Sequence, residues 1–181
     1  MKVVLASASP RRHQLLKELF ADFDICIPTA DEHFVGSCPS ETVIELATRK
    51  IKDIDGELVI GCDTIVYFQG NYYGKPYNRD KALAMLAKLS GNTHEVYSGL
   101  AIAYQGKVYQ GRERSTVTFK ALVQEQLEVY VDTYKPYDKA GAYGIQDEFL
   151  VKGYSGSYKN IMGLPVEKLK DILVRIGALN G

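Results

Sequence analysis

The chain has 181 residues, of which 46% are hydrophobic and 24% charged, and its 22 basic and 22 acidic side chains give a formal net charge of zero. The apolar content can bury a core, which excludes a largely disordered chain and predicts one domain over residues 1–181. Zero net charge argues against a strong nucleic-acid binder, because such proteins rely on excess positive charge against phosphates.

No apolar run approaches the roughly 20 residues that a membrane helix needs. The apolar start of the chain is too short for an export signal, since Arg11 and Arg12 follow it at once. An odd set of three cysteines, Cys26, Cys38 and Cys62, fits neither a disulfide framework nor a zinc site. We therefore expect a cytoplasmic protein with reduced thiols and no membrane partner.

Strand-like apolar runs alternate with amphipathic stretches, which predicts an α/β fold on a mixed sheet. Strands are predicted over 2–6, 23–27, 58–68, 96–104, 108–119 and 149–154, and a hairpin partner over 72–73. Helices are predicted from Pro10 and over 39–54, 79–89, 124–133 and 165–176, with Ser9 and Asn78 as N-caps. Residues 31–36 are predicted to form a loop, and the glycine-rich segment 140–145 is compatible with several structures.

The first candidate site is the loop Ser7-Ala8-Ser9-Pro10-Arg11-Arg12. A serine-rich loop that follows a strand and opens a helix points backbone N–H groups at an anion, and two hydroxyls and two guanidiniums add donors. This pattern suits a polyphosphate. The alternative is a capped helix with solvated arginines.

Asp63 is the second candidate, because it interrupts a strongly apolar strand. A carboxylate there is costly to bury unless it is paired, bound to a metal, or hydrogen-bonded to backbone amides. The pair Asp31-Glu32 follows an earlier strand, and carboxylates from separate loops commonly hold Mg²⁺ or Mn²⁺ beside a phosphate; the alternative is a solvated surface pair. Lys50 and Lys75 are candidate phosphate ligands, the second in the rigid turn Gly74-Lys75-Pro76.

The segment Asp138–Gln146 has small residues that allow close approach of a ligand ring, with Gln146 able to read its edge. Tight packing is the alternative. The three histidines, His13, His33 and His94, show no metal-binding or deaminase spacing, so we assign them no role.

Together these segments resemble the Maf family of nucleotide pyrophosphatases over nearly the whole chain. The motifs that carry the resemblance run from Leu5–Arg12 through Asp31-Glu32, Leu46–Lys50, Gly61–Val66, Gly74–Pro76, Leu89–Gly99 and Asp138–Gln146 to Gly163–Pro165. Each motif is weak alone, and their occurrence in this order is specific.

The resemblance implies a two-lobed α/β fold with a central cleft, similar to inosine-triphosphate pyrophosphatases. It implies hydrolysis of a nucleoside triphosphate between its α- and β-phosphates, a divalent cation (Mg²⁺ or Mn²⁺), and often a homodimer. The expected metal ligands are Glu32 and Asp63, with Asp63 also the catalytic base. The expected phosphate ligands are Ser7, Ser9, Arg12, Lys50 and Lys75.

Arg11, Thr64 and Gln146 match the branch of the family that prefers dTTP and UTP, so we expect them to select the base. Two residues depart from the pattern: Asp147 stands where glycine is usual and adds negative charge near the base site, and Ser98 stands where threonine is usual. The alternatives are the same reaction on ITP or 7-methyl-GTP, or a non-catalytic regulator of septation that binds nucleic acid or a protein partner.

Overall fold

The computed structural model describes residues 1–34 and 36–181; Val35, in the loop predicted over 31–36, lies outside the described residues. The chain folds as two compact units. The first unit comprises Met1–Thr64, Tyr97–Glu113 and Gly163–Gly181, and the second comprises Ile65–Val96 and Arg114–Met162.

Seven strands form one mixed sheet, which confirms the predicted α/β class. The strands are β1 (Val3–Ala6), β2 (Asp24–Cys26), β3 (Leu58–Phe68), β4 (Asn71–Tyr73), β5 (Thr93–Tyr104), β6 (Lys107–Phe119) and β7 (Val151–Ser155). Their order is β2-β1-β3-β5-β6-β7, with β4 paired to β3. Strand β1 is parallel to both β2 and β3, whereas β3–β4 and β6–β7 are antiparallel.

Six α-helices accompany the sheet among the described residues. They are α1 (Pro10–Leu16), α2 (Pro39–Ile51), α3 (Arg79–Leu89), α4 (Gln124–Tyr134), α5 (Tyr158–Met162) and α6 (Val166–Arg175). Over residues 1–34 and 36–181, no helix is long and apolar enough to cross a membrane.

In the first unit, α2 packs so closely on the sheet that only glycine fits beneath it. A Cβ on Gly61 of β3 would lie 2.7 Å from the Ala47 carbonyl oxygen, and one on Gly99 of β5 would overlap the Val43 carbonyl. The core of this contact joins apolar side chains of β1, α2, β3 and β5: Val4, Ala6, Ala47, Ile51, Val59 and Ala101. Glycine thus sets the height of α2 above β3, and α2 carries Lys50.

The second unit has its own core around three edge-to-face rings. His94 lies 4.9 Å from Phe119 and 5.3 Å from Tyr143, and Phe119 lies 4.8 Å from Tyr143, measured between ring centroids. The His94 Nε2 atom is 2.8 Å from the Tyr143 hydroxyl. Burial lowers the pKa of His94 to about 4, so the imidazole is neutral at neutral pH.

The structure departs from the predicted boundaries in a few places. Helix α2 ends at Ile51 rather than 54, because Asp53 has a φ of +61°, a left-handed conformation that a helix cannot contain. The undecided segment 140–145 forms 3-10 turns at Ala140–Ala142 and Ile145–Asp147. Helix α5 was not predicted, since five residues are too few to show helical periodicity.

Candidate active site

Parallel pairing brings three chain segments to one edge of the sheet in the first unit. Ala6 at the end of β1 pairs with Cys26 of β2 on one side and with Gly61 of β3 on the other. The carboxyl ends of parallel strands are the usual binding edge of an α/β sheet. Ser7 follows β1 there, the loop with Glu32 follows β2, and Asp63 lies two residues beyond Gly61.

The serine loop is preorganised by its own hydroxyls. Ser7 Oγ accepts a hydrogen bond from the Ser9 backbone N–H at 3.1 Å, and Ser9 Oγ accepts from the Arg12 N–H at 3.4 Å, which confirms Ser9 as the N-cap of α1. His13, to which we assigned no role, lies with Nε2 2.7 Å from the Ser7 carbonyl oxygen. Helix α1 has seven residues and no acidic side chain in its first turn.

Lys50 joins the two predicted metal ligands. Its Nζ donates to Asp63 Oδ1 at 2.6 Å and lies 3.6 Å from Glu32 Oε1. The Lys50 and Asp63 side chains are only 7% and 11% exposed, whereas the Glu32 side chain is 49% exposed. Pairing with the ammonium explains how Asp63 is tolerated inside an apolar strand.

The loop that carries Glu32 is attached to α2 by the residue before Lys50. Arg49 Nη1 donates to the carbonyl oxygens of Asp31 and His33, each at 3.2 Å. A hydrogen bond from His33 lowers the pKa of Asp31, which keeps that exposed carboxylate ionised. Two adjacent residues of one helix therefore contact both acidic segments.

Arg12 and Thr64 are hydrogen-bonded to each other and to one carbonyl. Arg12 Nε donates to the Gly163 carbonyl oxygen at 2.7 Å, and its Nη2 donates to Thr64 Oγ1 at 3.1 Å. Thr64 Oγ1 also lies 3.2 Å from the Gly163 oxygen and 2.8 Å from Ser98 Oγ. Sequence reasoning missed this role of Gly163, although the motif Gly163-Leu164-Pro165 marked its neighbourhood.

Cys62, beside Asp63, faces the same carbonyl with its Sγ 3.3 Å from the Gly163 oxygen. Burial raises the pKa of its thiol, so the thiol stays protonated and can donate to this carbonyl oxygen. All three cysteines are free.

Two predicted site residues, Lys75 and Gln146, belong to the second unit, where backbone hydrogen bonds connect their segments. The Gly141 N–H donates to the Gly74 carbonyl at 3.2 Å, and the Tyr77 N–H donates to the Tyr137 carbonyl at 3.3 Å. Lys75 and Gln146 are both exposed. Arg11, the remaining predicted residue, is half-buried on α1 of the first unit.

Among the residues that the structure describes, no three His, Cys, Asp or Glu side chains group closely enough to hold a metal ion. Two acidic side chains at this edge, Glu32 and Asp63, both lie close to Lys50 Nζ. Such a pair matches the way Mg²⁺ is usually bound, through one or two carboxylates while substrate phosphates and water complete its shell.

Comparison with known proteins relates the whole chain to one family. The family model described as Maf-like protein matches residues 2–176. A dTTP/UTP pyrophosphatase of Clostridium botulinum is 43% identical, with 97% of each chain covered. One of Symbiobacterium thermophilum is 40% identical over 97% of this chain and 94% of its own. One of Halalkalibacterium halodurans is 41% identical over 92% of this chain and 91% of its own. With the family model spanning both units, the chain belongs to the Maf-like protein family.

Proposed function

We propose that this chain is a nucleotide pyrophosphatase that hydrolyses dTTP and UTP between the α- and β-phosphates, releasing the monophosphate and pyrophosphate. The cluster of Glu32, Lys50 and Asp63 carries this proposal, because it offers a protected carboxylate and a cation at the binding edge of the sheet. The names of the relatives supply the substrate, at 40–43% identity over more than nine-tenths of each chain.

Glu32 and Asp63 are the proposed ligands of a divalent cation, Mg²⁺ or Mn²⁺. Their fit rests on the chemistry of the donors: both carboxylates lie within 3.6 Å of a single cationic atom, Lys50 Nζ, so they already converge on one positive charge. A bound metal would withdraw negative charge from the phosphates.

Asp63 is the proposed general base, which accepts a proton from the attacking water. Its carboxylate is held in one orientation by Lys50, and a fixed base makes proton transfer efficient. Lys50 also brings positive charge to the point where negative charge gathers in the transition state.

The proposed phosphate ligands are Ser7, Ser9, Arg12, Lys50 and Lys75. The two serines accept backbone hydrogen bonds, so each hydroxyl keeps a proton that it can donate to a phosphate oxygen. Arg12 is anchored through Nε and Nη2, which limits the entropy lost when the guanidinium meets an anion.

Arg11, Thr64 and Gln146 are the proposed base-selecting residues. A glutamine amide carries both a donor and an acceptor, which matches the adjacent acceptor and donor on the edge of uracil or thymine. Gln146 is exposed and follows a glycine-rich segment, so a ring can approach it.

The test is pyrophosphate release from a panel of nucleotides in Mg²⁺ or Mn²⁺. The panel contains dTTP, UTP, CTP, ITP, 7-methyl-GTP and the common purine triphosphates. We expect dTTP and UTP to be preferred, and Asp63→Asn to lower turnover by about 10²–10⁴-fold while the fold is kept. Asp55→Asn, a change of an exposed aspartate, is the matched control.

Faster release of pyrophosphate from ITP or 7-methyl-GTP than from dTTP and UTP would refute the proposed substrates but would agree with the proposed reaction. Near-normal turnover by Asp63→Asn would refute its role as base. No release from any nucleotide would refute the enzymatic proposal as a whole.

A further inference from the structure

The buried hydroxyl of Tyr130 attaches the turn that carries Gln146 to helix α4. Tyr130 donates from its hydroxyl to Asp147 Oδ2 at 2.6 Å, and the same oxygen accepts from the Gly144 N–H at 3.0 Å. The Asp147 N–H in turn donates to the Gly144 carbonyl at 3.2 Å. Both ends of the turn around Gln146 are therefore hydrogen-bonded to one atom.

Tyr130 is itself held rigidly. Its side chain is fully buried, and its ring centroid lies 4.9 Å from that of Tyr134 and 5.6 Å from that of Phe149. Burial, and then the hydrogen bond to Asp147, raise the pKa of Tyr130, so the hydroxyl stays protonated and keeps its proton for the carboxylate. A rigid neutral donor facing a carboxylate makes a short, directional bond.

The side chains of Gln146 and Asp147 converge over Gly144. A Cβ on this glycine would lie 3.0 Å from Asp147 Oδ2 and 3.2 Å from Gln146 Oε1. The absence of a Cβ at Gly144 therefore leaves room for both oxygens.

We propose that Asp147 is a positioning residue for Gln146: by accepting a hydrogen bond from the Tyr130 hydroxyl, it fixes the turn at 144–147 and with it the amide that reads the pyrimidine base. This inference rests on the proposed function and adds a residue and a mechanism to it. The negative charge that Asp147 brings to the proposed base site is hydrogen-bonded to the Tyr130 hydroxyl.

The experiment compares Asp147→Ala, Asp147→Asn and Tyr130→Phe in steady-state kinetics with dTTP and ITP. Loss of the attachment should raise KM for dTTP about tenfold, equivalent to about 1.4 kcal/mol. The value of kcat should stay within about twofold, because the bond acts on binding of the base and not on the phosphates. The preference for dTTP over ITP should fall by the same tenfold factor.

Asp147→Asn tests the mechanism, since an amide oxygen still accepts from the Tyr130 hydroxyl. It should recover most of the preference for dTTP. Tyr130→Phe leaves the residues of the turn unchanged but removes both the donor to Asp147 and the acceptor of the Gly144 N–H, so its defect should be at least as large as that of Asp147→Ala. Glu125→Ala, which removes an exposed carboxylate from the first turn of the same helix, is the control and should behave as wild type.

Unchanged KM and preference in Asp147→Ala would overturn the inference. So would a defect in both Asp147 variants with wild-type behaviour of Tyr130→Phe, because that pattern means direct contact of the carboxylate with substrate. An equal loss of kcat on both nucleotides, with a lowered melting temperature, would show a structural role only. No turnover by the wild-type protein would instead refute the proposed function, and this inference with it.

Discussion

Replacing Lys50 by methionine should destabilise the protein strongly, because it leaves Asp63 charged and buried. The ammonium and carboxylate are 2.6 Å apart, and the two side chains are 7% and 11% exposed. Removing one partner of such a buried pair costs about 3–5 kcal/mol. For a chain of this size each kcal/mol moves the melting temperature by about 2–4 °C, so we expect a drop of about 10 °C.

The measurement is thermal and urea unfolding of five proteins at pH 7.5: wild type, Lys50→Met, Asp63→Asn, Asp63→Leu and the double variant Lys50→Met/Asp63→Leu. The double variant contains no unpaired charge, so it should be more stable than Lys50→Met alone. Asp63→Asn keeps an acceptor for the ammonium and should lose less.

Two results would refute this reasoning. The first is a melting temperature of Lys50→Met equal to that of the wild type, which would mean that water or another cation neutralises Asp63. The second is a loss of stability in the double variant equal to the sum of the losses in the two single variants, which would mean that the charges do not interact.

Two further predictions concern packing. The pKa of buried His94 is lowered from 6.5 to about 4, so the unfolded chain binds a proton at higher pH than the folded one. The stability that neutral His94 provides is complete above pH 6.5 and is lost as the pH falls towards 4, by about 3 kcal/mol. In urea unfolding at pH 7 and 5, the free energy of unfolding should therefore change less with pH in His94→Gln than in the wild type. An equal change in the two proteins would contradict this prediction. A Cβ at Gly61 would lie 2.6 Å from Ile51 Cγ2, so Gly61→Ala should cost about 1–3 kcal/mol and lower turnover by shifting α2. Gly153→Ala, which meets nothing within 4 Å, is the control for thermal melting and turnover.

Much of the fold could be predicted because its signals are local. The apolar run 58–68 became strand β3 with those same ends, and Asn78 caps α3 by accepting from the Lys81 N–H. The turn chemistry of Ser9-Pro10 likewise fixed the start of α1. Helix α5 was missed because five residues are too few to show helical periodicity. The end of α2 was placed too late because it depends on the left-handed conformation of Asp53, about which periodicity carries no information.

The residues of the candidate site could be nominated from the sequence, whereas the contacts between them could not. Lys50 was predicted to bind the phosphates, and in the structure its ammonium donates a hydrogen bond to Asp63. This contact depends on how closely α2 approaches β3, which Gly61 allows. The bond between Tyr130 and Asp147 spans 17 residues and links a helix to a turn, so no short motif contains it.

The contact between Arg12 and Thr64 bears on how phosphate binding and base selection are related. The sequence assigned Arg12 to the phosphates and Thr64 to the base, yet Arg12 Nη2 donates to Thr64 Oγ1 at 3.1 Å. Thr64 in turn contacts Ser98 and the Gly163 carbonyl, which also receives the Arg12 Nε bond. A larger side chain at position 64 would break these bonds and move the guanidinium. Because residues that share one hydrogen-bonded network are energetically coupled, we expect a substitution at position 64 to affect both proposed roles, base selection by Thr64 and phosphate binding by Arg12.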